Sequence, residues 1–230
     1  DLITYDANGA MYAVEMTAYP HPDQADEMAL GQVRFLLDDD GDGDYDSSFL
    51  FADKLSTPTS VTCWQGGVLV TAPPDLWYLK DTTGDHRADL RQKVITGFGI
   101  TNAEQLANNL KWGIDNKIYG AASHSGGSLQ VAEKGFFVAA GDELPASKPV
   151  SISRQDFRFD PRTGKIEPLT WATSRWGNSF DDAYNRFVCQ NTGPARHVVL
   201  PRRYLARNPY LRTSTVYQSL AKEVGTEPVF

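Results

Sequence analysis

Two acidic stretches, one an imperfect copy of the other, constrain this chain more than any other feature. Residues 38–46 read Asp-Asp-Asp-Gly-Asp-Gly-Asp-Tyr-Asp, and residues 81–89 read Asp-Thr-Thr-Gly-Asp-His-Arg-Ala-Asp. The copies superpose at an offset of 43 residues, pairing Asp38 with Asp81, Gly41 with Gly84, Asp42 with Asp85 and Asp46 with Asp89. Such dense aspartate and glycine suits neither a helix interior nor a central strand; both residue types favour turns. Each stretch is flanked by short apolar runs that alternate with a period of two, the signature of strands. A repeat of roughly 40 to 50 residues carrying four short antiparallel strands is the pattern of propeller blades.

The first stretch also has a chemical reading. Asp38, Asp40 and Asp42 stand at alternate positions, Gly43 follows where the chain must bend sharply, and Asp46 adds a fourth carboxylate. Oxygen ligands at that spacing before a glycine make a DxDxDG-type calcium loop. An acidic hairpin turn is the plainer alternative, since Asp-Gly is a turn signal by itself. The EF-hand form is disfavoured: Phe49 occupies the position of its terminal glutamate, and no amphipathic helix flanks the loop. In the second stretch Asp81, Asp85 and Asp89 keep the spacing, but Thr83 replaces a carboxylate and His86 stands in for Gly43. A calcium ion here competes with a plain interstrand turn that forces His86 to a positive φ.

The rest of the chain follows the same grammar. Residues 2–16 read as a hairpin around Asp-Ala-Asn-Gly. Strands are expected at 32–37, 48–52, 60–64, 68–72, 76–79 and 92–95. The hairpin at 109–122 echoes that at 60–72. A third echo runs through 157–160, a Pro-Arg-Thr-Gly turn and 165–169, then strands at 180–184 and 187–190 around Asn185 and Arg186. Helical periodicity is confined to short turns at 104–110 and 201–208. These units divide the chain approximately into 1–31, 32–75, 76–125 and 150–200. A closed ring has four to eight blades, so an all-β propeller of which this chain covers only part is expected. Its abrupt first and last residues point the same way, to a piece of a longer protein.

Composition narrows the function classes. With 230 residues, 41% hydrophobic and 22% charged, the chain can bury one sizeable core. A net charge of −7 and the lack of a Lys/Arg cluster argue against nucleic acid. No apolar run reaches the length of a membrane span. Cys63 and Cys189 match no metal or haem spacing and read as buried free thiols. Of the four histidines, His21 (in a proline-flanked loop) and His86 read as surface residues. His124 and His197 follow or enter apolar strands, where blade loops open onto a propeller's axial mouth. Arg186, Arg196, Asp181 and Asp182 could form an anion- or polyol-binding pocket there, or ion pairs bracing neighbouring blades. Trp64, Trp77, Trp112, Trp171 and Trp176 are expected to pack between blades. No hydrolase triad, metalloprotease motif or phosphate loop is present.

Several segments together resemble one known family. They are Gly31-Gln-Val-Arg-Phe-Leu with Asp-Gly-Asp-Gly and Phe-Ala-Asp, Gly-Gly-Val-Leu-Val-Thr-Ala-Pro-Pro-Asp-Leu-Trp-Tyr-Leu-Lys-Asp, and Leu-Lys-Trp-Gly-Ile-Asp. Asp-Phe-Arg-Phe-Asp-Pro-Arg-Thr-Gly (156–164) and Arg-Tyr-Leu-Ala-Arg-Asn-Pro-Tyr-Leu (203–211) complete the set. They resemble the membrane-bound dehydrogenase domain at the N-terminus of large exported proteins of Planctomycetes and Verrucomicrobia. That resemblance extends distantly to the quinone-dependent glucose and sorbosone dehydrogenases, with the run ending in Glu15 similar to their first-blade strand. It implies a six-bladed propeller and an exported, periplasmic or envelope-associated location. It further implies calcium, pyrroloquinoline quinone as cofactor, a sugar-type substrate or glycan, and a cytochrome c module elsewhere in the parent. The haem motif is not in this piece. Many relatives carry a histidine shortly before the Leu-Lys-Trp-Gly stretch, whereas residues 104–113 here have none. Catalytic candidates are therefore His124, His197, Arg186 and Arg196. The alternative is a calcium-stabilised binding or scaffolding module without turnover.

Overall fold

The computed structural model describes residues 2–17, 30–132, 148–169, 174–190, 193–208, 210–211, 213 and 215–220. His21, Trp171 and the loop expected at 19–25 lie outside them. The described chain is all-β, with four antiparallel sheets, none of them closed on itself. The first sheet is a meander of β1 (Ile3–Tyr5), β2 (Met11–Glu15), β3 (Gly31–Leu37) and β4 (Ser47–Leu55). The second begins with β5 (Ser60–Trp64), β6 (Gly67–Ala72), β7 (Asp75–Lys80) and β8 (Leu90–Phe98). β2 pairs with β3, and β6 with β7. Residues 3–55 and 60–98 therefore each stay in one sheet, out of phase with units cut at 31/32 and 75/76.

The third sheet is built from two separated hairpins. β9 (Asn108–Trp112) and β10 (Ile118–Ala121) open it. The chain then leaves to add β11 (Gly127–Val131) and β12 (Val150–Ser151) to the outer edge of the second sheet. It returns as β13 (Phe157–Phe159) and β14 (Ile166–Pro168), with β13 pairing to β10. The fourth sheet holds β15 (Asn178–Phe180), β16 (Arg186–Gln190), β17 (Gly193–Val198) and β18 (Tyr217–Ser219), with a single helical turn α1 (Arg202–Leu205) between the last two. The strand expected at 180–184 ends at Phe180. Asp181 closes a turn instead, its carboxylate accepting hydrogen bonds from the amide and side chain of Asn185 at 2.7 and 2.9 Å. The helical turn expected near 104–110 shrinks to a 3-10 turn at Ala103–Gln105, capped by Asn102.

Alternation along the strands explains how the first three sheets stack. Every residue of β6 is buried, as its run of apolar residues predicts. Its Val68, Val70 and Ala72 face Tyr12, Val14, Val33 and Phe51 of the first sheet. Leu69, on the opposite face, packs with Leu76, Ile118, Phe157 and Phe159 toward the third sheet. Burying each of these Val, Leu or Phe side chains contributes about 1.5–3 kcal/mol. The first strands of the four sheets also lie side by side. The Cys63 thiol donates to Tyr5 O (3.4 Å) and Leu110 N donates to Ser60 Oγ (2.7 Å). Asn178 N donates to Asn109 Oδ1 (2.7 Å). Trp64 and Trp112 meet across the second and third sheets with ring centroids 5.3 Å apart. Trp77 packs at the margin of the layer between the first and second sheets, beneath the cations of Arg91 and Lys93, whereas Trp176 is half exposed. Both cysteines are free, and both are partly rather than fully buried.

Candidate functional site

The hairpin joining β3 to β4 is shaped by its own aspartates. Asp38 accepts hydrogen bonds from the amides of Gly41 (2.7 Å) and Gly43 (2.9 Å), Asp40 from Asp42 N (3.2 Å), and Asp42 from Asp44 N (2.8 Å). Gly41 and Gly43 take φ of 79° and 98°, the left-handed region that glycine enters without a Cβ clash. The result gathers one carboxylate oxygen from each of Asp38, Asp40 and Asp42 within 4.8 Å of one another. Opposite ligands of a single calcium ion, each at 2.3–2.6 Å, lie up to about 5 Å apart, so this donor set fits one ion. A carboxylate offers about four acceptor sites, and the loop's own amides leave several of them free. Asp46 does other work: it accepts from Asp39 N (2.9 Å), and its amide donates to Leu37 O (2.9 Å), closing the neck of the loop.

The hairpin joining β7 to β8 occupies the corresponding place in the second sheet but is built differently. Asp81 accepts from the amides of Thr83, Gly84 and His86 at 2.9, 2.7 and 2.8 Å. Burial works against the Asp81 anion, yet these amides, led by Gly84, hold its carboxyl below the ordinary range. Asp89 binds the amide and hydroxyl of Thr82, and the hydroxyl contact in particular lowers its carboxyl too. Asp85 caps Arg87 N (3.1 Å). Among the described residues only Asp38, Asp40 and Asp42 form a metal-sized cluster; Asp81, Asp85 and Asp89 are not brought together in that way. His86 does take the expected positive φ (63°), but it is not a free surface residue. Its ring lies 5.1 Å from Phe35 and 4.6 Å from Phe49, so this loop packs against the first sheet.

The four histidine and arginine candidates do not converge on one point. His124 is exposed, with Nε2 3.3 Å from an Arg175 guanidinium nitrogen. Arg196 donates to Gln190 Oε1 (2.5 Å) and lies 4.5 Å over the Tyr217 ring. Arg186 is only 8% exposed and is sealed in an ion pair with Asp156 (2.5 Å). It braces two sheets as expected, although its partner is Asp156 rather than Asp181 or Asp182. Asp156 is fully buried and also receives the amides of Ala122 (3.1 Å) and Ser174 (3.2 Å). Burial pushes its carboxyl upward, opposed first by the Arg186 charge. A general base must lie within hydrogen-bond reach of the proton it takes, and neither His124 nor Arg196 lines the cavity that holds Arg186 and His197, so the four do not form one catalytic group.

Arg186 and His197 do share one cavity, a cleft of about 690 Å³ between the third and fourth sheets. On the third-sheet wall Arg158 donates to Glu167 (2.8 Å), to Asp115 (2.9 Å) and to the Tyr119 hydroxyl (2.9 Å). Lys117 adds a second cation to Glu167 at 2.9 Å. Burial alone would raise Glu167, but Lys117 and Arg158 bring it down to about 2. On the facing wall Phe180 and Tyr184 stack at 4.7 Å, and His197 stacks on Phe187 at 5.2 Å. Burial, with Tyr119 and Asp115 nearby, pushes the Tyr184 phenol up to about 12. Sequence reading passed over Asp156, Arg158 and Glu167. Only the alternation Phe157-Arg158-Phe159, a cation between two buried aromatics, signals that Arg158 turns to the opposite face of its strand.

No curated protein matches the sequence. Over residues 2–230 it matches the family described as "Domain of unknown function (DUF7133)", and the chain belongs to that family.

Proposed function

We propose that this chain is an arc of a six-bladed-type propeller in an exported protein, that it holds one calcium ion in the hairpin at 38–46, and that it acts as a binding module for a sugar-type ligand. The observation that carries the proposal is the gathering of Asp38, Asp40 and Asp42 oxygens within 4.8 Å at a loop already folded by its own amides. The propeller reading is supported by sheets stacked face to face with their first strands adjacent. Resemblance to quinone-dependent dehydrogenases favours a second reading, oxidation of a sugar with electrons passed to a cytochrome module of the parent. His124 and Arg196 lie outside the cavity that Arg186 and His197 share, and Arg186 is already paired with Asp156, which supports the binding module better, so no catalytic step is assigned to them.

Calcium titration by calorimetry tests the metal claim. Wild type is expected to bind one calcium ion, in the range of about 10⁻⁴–10⁻³ M typical of extracellular modules. Asp40→Ala should abolish that heat, and Asp85→Ala should leave it unchanged. Equal binding by wild type and Asp40→Ala would sink the proposal.

A further inference from the structure

The cleft between the third and fourth sheets has a charge pattern at odds with the molecule that contains it. The chain carries a net charge of −7, yet this cavity is lined by Arg158, Arg186, Arg202 and Arg203 against a single carboxylate, Glu167. Two of those arginines are structural. Arg158 is held by Asp115 and Glu167, and Arg186 by Asp156, so both are fixed in place with their charges already balanced. Arg202 and Arg203, on α1, have no carboxylate partner among the described residues. Arg202 donates to Gln155 Oε1 at 2.9 Å, while Arg203 lies 4.8 Å over the Tyr204 ring and donates to its hydroxyl at 3.4 Å. A guanidinium presents five donors in a planar fork matched to carboxylate geometry, and these contacts leave much of each fork unused.

The remaining lining mixes aromatic rings with aliphatic and proline side chains, among them Leu169, Val198 and Pro201. Tyr119 packs edge-on to Phe180 (5.0 Å), which in turn stacks on Tyr184. Rings of this kind offer flat apolar surface with a polar edge, suited to the faces of a pyranose and to its hydroxyls. The volume of about 690 Å³ falls within the usual 300–1,000 Å³ of small-molecule sites.

We infer that this cleft binds a sugar acid, a hexose-sized ligand whose carboxylate is taken by Arg202 and Arg203 while its ring lies against Phe180 and the exposed Tyr204. The inference rests on the sugar-binding reading above and adds to it the site and the charge of the ligand. Calorimetry or saturation-transfer NMR with D-glucuronate as probe and D-glucose as neutral control, in calcium-containing buffer, tests both. Wild type is expected to bind glucuronate more tightly than glucose. The Arg202→Gln/Arg203→Gln double variant should lose glucuronate affinity by about tenfold, equivalent to ~1.4 kcal/mol. Arg203→Lys, which keeps the charge and loses the fork, should fall between. Both arginines are exposed, so the thermal melt of the double variant should match wild type and exclude unfolding. Equal binding of glucose and glucuronate, indifferent to the arginines, would overturn the sugar-acid assignment while leaving the sugar-binding reading intact. Binding of neither sugar would overturn both.

Discussion

Glu167 sits between Lys117 and Arg158, and that position sets how it titrates. Its carboxyl is lowered from an ordinary 4.5 to about 2. A carboxyl depressed in the folded state contributes stability that is fully present above its unfolded value and is lost as pH falls through its folded value. Wild type should therefore lose stability between about pH 5 and pH 2 more steeply than Glu167→Gln. Thermal melts of both proteins across that range check this, and parallel pH profiles would contradict it. The contrast with the acidic loop shows which residues a sequence reveals. Asp38, Asp40 and Asp42 find their amide partners two to five residues away, so spacing alone exposes their arrangement. Glu167 meets Lys117 across 50 residues and Asp156 meets Arg186 across 30. Nothing local marks such pairs. For the same reason Arg186 was recognisable as a brace, but its partner was not.

The hairpins were legible for a physical reason: alternation marks a half-buried strand, and Asp, Asn and Gly mark the turn between two of them. β2, β3, β5, β6, β7 and β8 fall where that pattern puts them. Membership of sheets is another matter, because pairing partners are set by tertiary packing. β11 and β12 follow β10 in sequence yet extend the second sheet, while β13 and β14 complete the third from 36 residues or more away. The join between the third and fourth sheets depends on Asp156, which ties the end of β10 through Ala122 N, the segment before β15 through Ser174 N, and β16 through Arg186. Removing one member of a buried ion pair leaves the other charged and desolvated, at a cost of about 3–5 kcal/mol. Asp156→Asn is expected to destabilise the protein by about that much in denaturant melts. Asp156→Leu/Arg186→Met, which removes both charges, should recover part of the loss. A near-neutral Asp156→Asn would contradict the role given to this pair.

At the scale of the molecule, sheets one to three share two apolar layers, and their leading strands converge with that of the fourth. In the proposed propeller these sheets are consecutive blades; each acidic hairpin joins the third and fourth strands of its own sheet's meander, counted from β1 and from β5. Equivalent places do not carry equivalent chemistry. A threonine stands in place of the second carboxylate, and a histidine stacked on Phe35 and Phe49 makes the second loop a packing element against the first sheet. Anomalous diffraction near the calcium edge, from crystals grown in calcium, tests this division most directly. The account predicts one strong peak within about 2.3–2.6 Å of oxygens from Asp38, Asp40 and Asp42, and none at residues 81–89. An empty first loop, or a peak of equal height in the second, would contradict it.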